Sequence, residues 1–143
     1  MPDRPDTLFH YTHPLHLVDI IKEKALWTTE SNVSLTPNFG PGVVWAVDGL
    51  WVPEVGEDQF PHGLTEPKLR VRVEFKTPRR AYKWSEWEWT QKMDPLWKAA
   101  LIHSAGGWEA ADKWWVVDHP VIQKHWVEVL ADGKKIWPID LDR

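Results

Sequence analysis

The chain predicts an α+β fold: a single domain over residues 1–143, with a mixed or antiparallel central sheet and flanking helices. Three observations carry that expectation. A length of 143 residues fits one domain and can bury a core without staples. The segments run strand, helix, strands, helices, strands, without the regular alternation of a doubly wound parallel sheet. The last pair of extended segments flanks Asp132-Gly133, the turn chemistry of an antiparallel hairpin.

Each element has a local reason. Residues 8–11, "LFHY", form a short apolar strand. Thr12 is placed to cap the following helix, with Pro14 in its first turn, where a missing N–H costs little. Leu17, Val18, Ile20, Ile21 and Ala25 form the helix's apolar stripe, with Asp19, Lys22 and Glu23 on its wet side. Residues 26–28 begin an extended piece, and the turn-rich 31–42 reads as a loop. "VVWAV" (43–47) is a buried-type strand closed by Asp48-Gly49, and 51–67 is an irregular excursion rich in Pro, Gly and acidic residues.

In "KLRVRVEF" (68–75), Leu69, Val71, Val73 and Phe75 face one side, and Arg70, Arg72 and Glu74 the other. Ser85 and Glu88 have capping-box spacing, and Trp84 and Trp89 hydrophobic-staple spacing, so a helix is predicted from about Glu86. Asp94-Pro95 starts another, running to Ser104 and stopped by Gly106-Gly107. "WWVVD" (114–118) is a strand, and "HWVEVL" with "KKIWPI" completes the hairpin.

Composition narrows the function class. The chain has no cysteine, which excludes disulfides and thiolate metal sites. The segment "MPDRPDT" is not an apolar signal, and no apolar run approaches membrane-spanning length, so a cytoplasmic protein with no membrane partner is expected. A net charge of −4 argues against a wholly basic nucleic-acid binder but permits a local basic patch. Twelve tryptophans stand against two tyrosines and four phenylalanines. That exceeds the expected need of a core this size, so some are expected to line a pocket or an exposed face.

His10, His13 and His16 recur every third residue. On one helix they would share a face, but His10 belongs to the strand and Pro14 interrupts the set. The HExxH pattern is absent and no metal is expected. His10-Tyr11-Thr12 instead places polar groups at a strand end, a rigid platform beside a cleft.

The stretch "LFHYTHPLHLVDIIKEKALW" (8–27) resembles the first strand and helix of the ADP-ribosyltransferase-like fold. It is most similar to DNA-targeting toxins of the DarT type and to a loose set of uncharacterised bacterial and phage proteins. In that fold the first-strand histidine bonds the ribose of NAD. The resemblance therefore implies that His10 holds NAD, the substrate, with Tyr11 and Thr12 beside it. "GPGVVWAVDGLW" (40–51) is similar to a strand and turn of the same set, which implies that Trp45 or Trp51 stacks on nicotinamide. A core strand position is the other reading of Trp45.

The resemblance also implies a late catalytic glutamate, a role that falls on Glu128. Simple alternation puts Trp126 and Glu128 on one strand face, and His125, Val127 and Val129 on the other. Breaking the nicotinamide–ribose bond builds an oxocarbenium-like centre, which a carboxylate stabilises while orienting the nucleophile. The family's phosphate-binding arginine falls on Arg72, with Arg70 on the same strand face. Trp126 stands where many members carry Gln or Glu.

"KTPRRAYKWSEWEW" (76–89) mixes basic and aromatic residues, a pattern that suits single-stranded nucleic acid or, more plainly, a solvated basic loop. The principal expectation is NAD-dependent ADP-ribosyl transfer to a macromolecular acceptor, DNA or RNA. The second is a non-catalytic nucleotide- or single-stranded nucleic-acid-binding module of phage or bacterial origin. A third is an interaction domain whose tryptophans form an interface.

Overall fold

The computed structural model describes residues 4–28, 42–48, 70–105 and 107–138. Apart from Gly42, the expected loop at 31–42 lies outside the described residues, and so do the excursion at 51–67 and Trp51. The chain begins with β1 (Thr7–Thr12), α1 (Leu17–Glu23), β2 (Ala25–Leu26) and β3 (Val44–Val47). It continues with β4 (Val71–Lys76), β5 (Ala81–Lys83), α2 (Glu88–Gln91), α3 (Pro95–Ala105) and α4 (Trp108–Ala111). Strands β6 (Trp114–Val117), β7 (Val121–Ile122), β8 (Trp126–Ala131) and β9 (Lys134–Trp137) complete the described chain.

Seven strands form one sheet in the order β5-β6-β3-β1-β4-β8-β9, and β2 pairs with β7 in a separate ribbon. Every pairing among the described strands is antiparallel. The α+β expectation therefore takes its antiparallel form. Among the described residues, no helix is long and apolar enough to cross a membrane.

Register assigns the two faces. His10 pairs with Val73, and Val73 with Val129, so these three share a face with Leu8, Val71 and Phe75. That face packs against Leu17, Ile20 and Ile21 of α1 and against Leu26 and Val121 of the β2–β7 ribbon. Phe9 pairs with Glu74 and with Val47, and Glu74 with Glu128, which fixes the opposite face. On its β5-β6-β3 half, that second face carries a separate core in which Trp84, Trp87, Met93, Ile102 and Val116 are buried together.

These two cores account for most of the tryptophan content. Nine of the twelve tryptophans belong to or pack against them, so packing is the dominant use. Trp84 is fully buried and meets Trp114 edge-on at 5.0 Å; Trp126 meets Trp137 the same way at 5.4 Å. Among the described residues, Trp27 and Trp108 are the exposed tryptophans.

Four local expectations are corrected. Thr12 is the last residue of β1 rather than a cap; His13 takes that role, its Nδ1 accepting the Leu15 N–H at 3.0 Å over the 3-10 turn Pro14–His16. Val18 is exposed, because Leu17, Ile20 and Ile21 already fill the i, i+3, i+4 stripe of the short α1. The Ser85–Glu88 capping box does not form: Ser85 Oγ donates to Asp112 at 2.9 Å, and α2 begins after Trp87 without a side-chain cap.

The fourth concerns β8. Its pairing with β4 jumps from Glu74↔Glu128 to Phe75↔Trp126, leaving Val127 as the extra residue of a bulge. Trp126 is thereby buried with Phe75 and Val129, while Glu128 faces the other side. Plain alternation fails at that one inserted residue. The Asp94 cap does form, accepting the N–H groups of Leu96 and Trp97 at 2.8 and 3.1 Å. The hairpin turn forms with positive φ at both Asp132 (51°) and Gly133 (82°).

Candidate functional site

Where β1 ends, the chain turns through Pro14–His16 into α1, which packs against the core face of the sheet. A cavity of about 330 Å³ opens between α1 and the sheet, lined by His10, Thr12, His16, Asp19, Glu23 and Trp27 together with residues of β2 and β3. The volume lies at the small end of the range for ligand cavities.

His10 is fixed by its Nδ1, which donates to the Trp45 carbonyl of β3 at 2.7 Å. The carbonyl can only accept, so Nδ1 carries the hydrogen and Nε2 has the lone pair. Packing strips water from the ring and lowers its pKa below the ordinary 6.5; the Trp45 bond works in the other direction, and nearby His16 adds to the lowering. A neutral His10 with an Nε2 acceptor suits a ligand hydroxyl. Asp19 and Glu23, one helical turn apart on α1, add acceptors to the wall. Neither Lys nor Arg is among the cavity-lining residues described. Its chemistry therefore matches a neutral, hydroxyl-bearing ligand better than a phosphate.

The cavity gathers three of the expected site residues: His10, Thr12 and Trp45. Trp45 is divided in its roles. Its carbonyl holds His10, while its ring meets Trp114 edge-on at 5.8 Å in the second core. Tyr11 pairs with Arg72 and so belongs to the face opposite His10. Trp51 lies outside the described residues.

Arg72 and Glu128 are together, but elsewhere. They form a half-buried ion pair at 2.7 Å on the face carrying Phe9 and Glu74, and the Arg72 guanidinium lies 5.3 Å from the Phe9 ring centroid. Arg70 makes a two-point contact with Asp132, at 2.8 and 3.2 Å. The His10–Glu128 constellation expected from sequence is thus corrected in one respect: the sheet separates the two side chains, because bulged β8 pairs Glu128 with Glu74 rather than with a residue of His10's face. Among the described residues, no three of His, Asp and Glu converge to hold a metal ion.

Sequence reasoning missed Asp19, Glu23 and Trp27. Asp19 and Glu23 read as wet-side helix residues, and their signal was the four-residue spacing that puts both on one face of the helix following His10. Trp27 follows β2 and is 59% exposed, unlike the core tryptophans. Comparison of the chain with models of protein families, with curated proteins and with solved structures finds no match.

Proposed function

We propose that this chain is a binding module for a nucleoside-type ligand, seated in the His10 cavity with its ribose hydroxyls on His10 Nε2 and the Asp19 and Glu23 carboxylates. The observation that carries the reading is the convergence of His10, Thr12 and two helix carboxylates on one cavity of about 330 Å³. Hydroxyl donors satisfy these acceptors, and the apolar wall of Ile20, Leu26 and Val44 suits a flat base or a nicotinamide ring. A cavity this small suits one nucleoside half of NAD rather than the whole dinucleotide. Of the two leading expectations, the non-catalytic one is favoured, because Glu128 is bonded to Arg72 on the other side of the sheet.

The test is fluorescence and calorimetric titration of the full chain with adenosine, nicotinamide riboside, AMP and NAD. Trp27 at the cavity wall supplies the optical signal. Nucleosides are expected to quench saturably, with AMP weaker because the carboxylates repel its phosphate. His10→Ala removes one hydrogen bond, a loss of about three- to tenfold in affinity. Absence of saturable binding by any of the four, or binding indifferent to His10→Ala, overturns the proposal. Nicotinamide release from NAD that is abolished by Glu128→Gln would return the transferase reading to first place.

A further inference from the structure

A second cavity, of about 340 Å³, lies where β4 leaves the sheet, and Lys76, Thr77, Pro78, Arg79, His119 and His125 line it. Thr7 pairs with Lys76 and Thr12 with Val71, so it sits at the opposite end of the β1–β4 pair from the His10 cavity. Their nearest lining residues on this pair, His10 and Lys76, stand three residues apart along the strands, about 10 Å. We propose that this second cavity is an anion site that takes the phosphate group of a small phosphate monoester.

Four observations support it. Among the described residues, the lining holds two cations and two imidazoles and no carboxylate, in a chain whose net charge is −4. Neighbouring cations are engaged while these are not. Arg80 pairs with Asp118 at 3.0 Å, and Arg4 donates to the carbonyls of Pro78 and Ala81. Lys76 and Arg79 have no ion-pair partner among the described residues. Thr77 Oγ1 is buried without a hydrogen-bond partner, a donor that a phosphate oxygen would satisfy.

The frame is also rigid. The Thr77 N–H donates to the Asp6 carbonyl at 3.0 Å, and the Ala81 N–H to the Pro78 carbonyl at 3.3 Å, closing the 77–81 turn. His119 Nδ1 donates to the Pro120 carbonyl at 2.8 Å, which fixes the ring's position. A fixed turn lowers the ordering cost of binding, since only the Lys76 and Arg79 side chains must still be ordered on the phosphate.

The shape of the charge selects the ligand. A single-strand binder needs cations along a track and aromatic faces for successive bases. Here the cations line one concavity, and no Phe, Tyr or Trp is among the described lining residues. A compact dianion matches that arrangement better than a polymer backbone.

The experiment follows the histidine and backbone NMR signals of the full chain during titration with inorganic phosphate, AMP, adenosine and a short single-stranded oligothymidylate. Lys76 and Arg79 are exposed, so Lys76→Gln/Arg79→Gln keeps the fold, which circular dichroism checks. Inorganic phosphate and the AMP phosphate are expected to shift His119 and His125 saturably, and the double variant is expected to weaken this about tenfold or more. His10→Ala should leave phosphate binding unchanged, which separates this site from the nucleoside cavity. Three results overturn the proposal: no saturable shift with phosphate or AMP, binding untouched by the double variant, or preference for the oligonucleotide with a salt slope of several phosphates at about 0.7 each.

Discussion

His10 is the residue at which fold and site are tied together. Its Nδ1–H joins β1 to the Trp45 carbonyl of β3, and desolvation holds its pKa below the ordinary 6.5. Once unfolded, the same histidine titrates near that ordinary value. Between the folded and unfolded values the unfolded chain binds more protons, so stability rises with pH across that window. The His10 contribution is therefore fully present above about pH 6.5 and is lost as pH falls toward the folded-state value. His10→Gln keeps an amide donor for Trp45 and removes the titration. Urea midpoints compared at about pH 7.5 and about pH 5.5 should fall more for the parent chain than for His10→Gln. An equal fall in both would show that His10 is not the group responsible. The residue itself was legible: a histidine closing an apolar strand beside Tyr11 and Thr12 is a local pattern. Which of its ring nitrogens carries the hydrogen was not, because that depends on a carbonyl 35 positions away.

At the scale of elements, success followed whether the signal was local. The Asp94 cap and the Asp132-Gly133 turn formed as read, since each is decided within a few residues. The Ser85–Glu88 box failed because competing partners arrived from far along the chain: Asp112 takes both Ser85 Oγ and Lys83 Nζ, at 2.9 and 3.1 Å. The β8 bulge was invisible for a related reason. Trp126 must reach the core beside Phe75, and Glu128 must reach Arg72 on the opposite face. A two-residue period cannot meet both demands, so Val127 is inserted. The β8–β9 turn offers the cleanest test at this scale. Gly133 has φ 82°, and a Cβ placed there meets nothing within 4 Å. The cost of Gly133→Ala is then purely conformational, about 1–2 kcal/mol, and Gly133→Asn should recover much of it because Asn tolerates the left-handed region. Chemical denaturation of the two variants measures the difference; equal losses would mean that crowding rather than φ sets the cost.

Across the whole molecule, the seven-stranded sheet acts as a partition. One face buries the main core and opens at its β1 end into the His10 cavity, while the other carries Arg72, Glu74 and Glu128. Glu74 and Glu128 sit directly opposite each other, a repulsive arrangement for two carboxylates. Thr7 Oγ1 donates to Glu74 at 2.8 Å and Arg72 to Glu128 at 2.7 Å, which makes the pair tolerable. Glu128 paired with Arg72 in this way acts structurally, and its replacement should have an effect opposite to that of losing a catalytic carboxylate. Glu128→Gln should lower stability by about 1–2 kcal/mol, less than the full worth of a charged hydrogen bond because the amide oxygen still accepts from Arg72, and leave ligand affinity in the His10 cavity unchanged. Arg72→Met should cost more, because it leaves Glu74 and Glu128 facing each other without the cation. In a double-mutant cycle, Glu128→Gln should therefore relieve part of the Arg72→Met loss, giving a coupling of about 1 kcal/mol. Additive losses would show that the pair does not hold the face together. A Glu128→Gln chain of undiminished stability that no longer released nicotinamide from NAD would make this carboxylate catalytic after all.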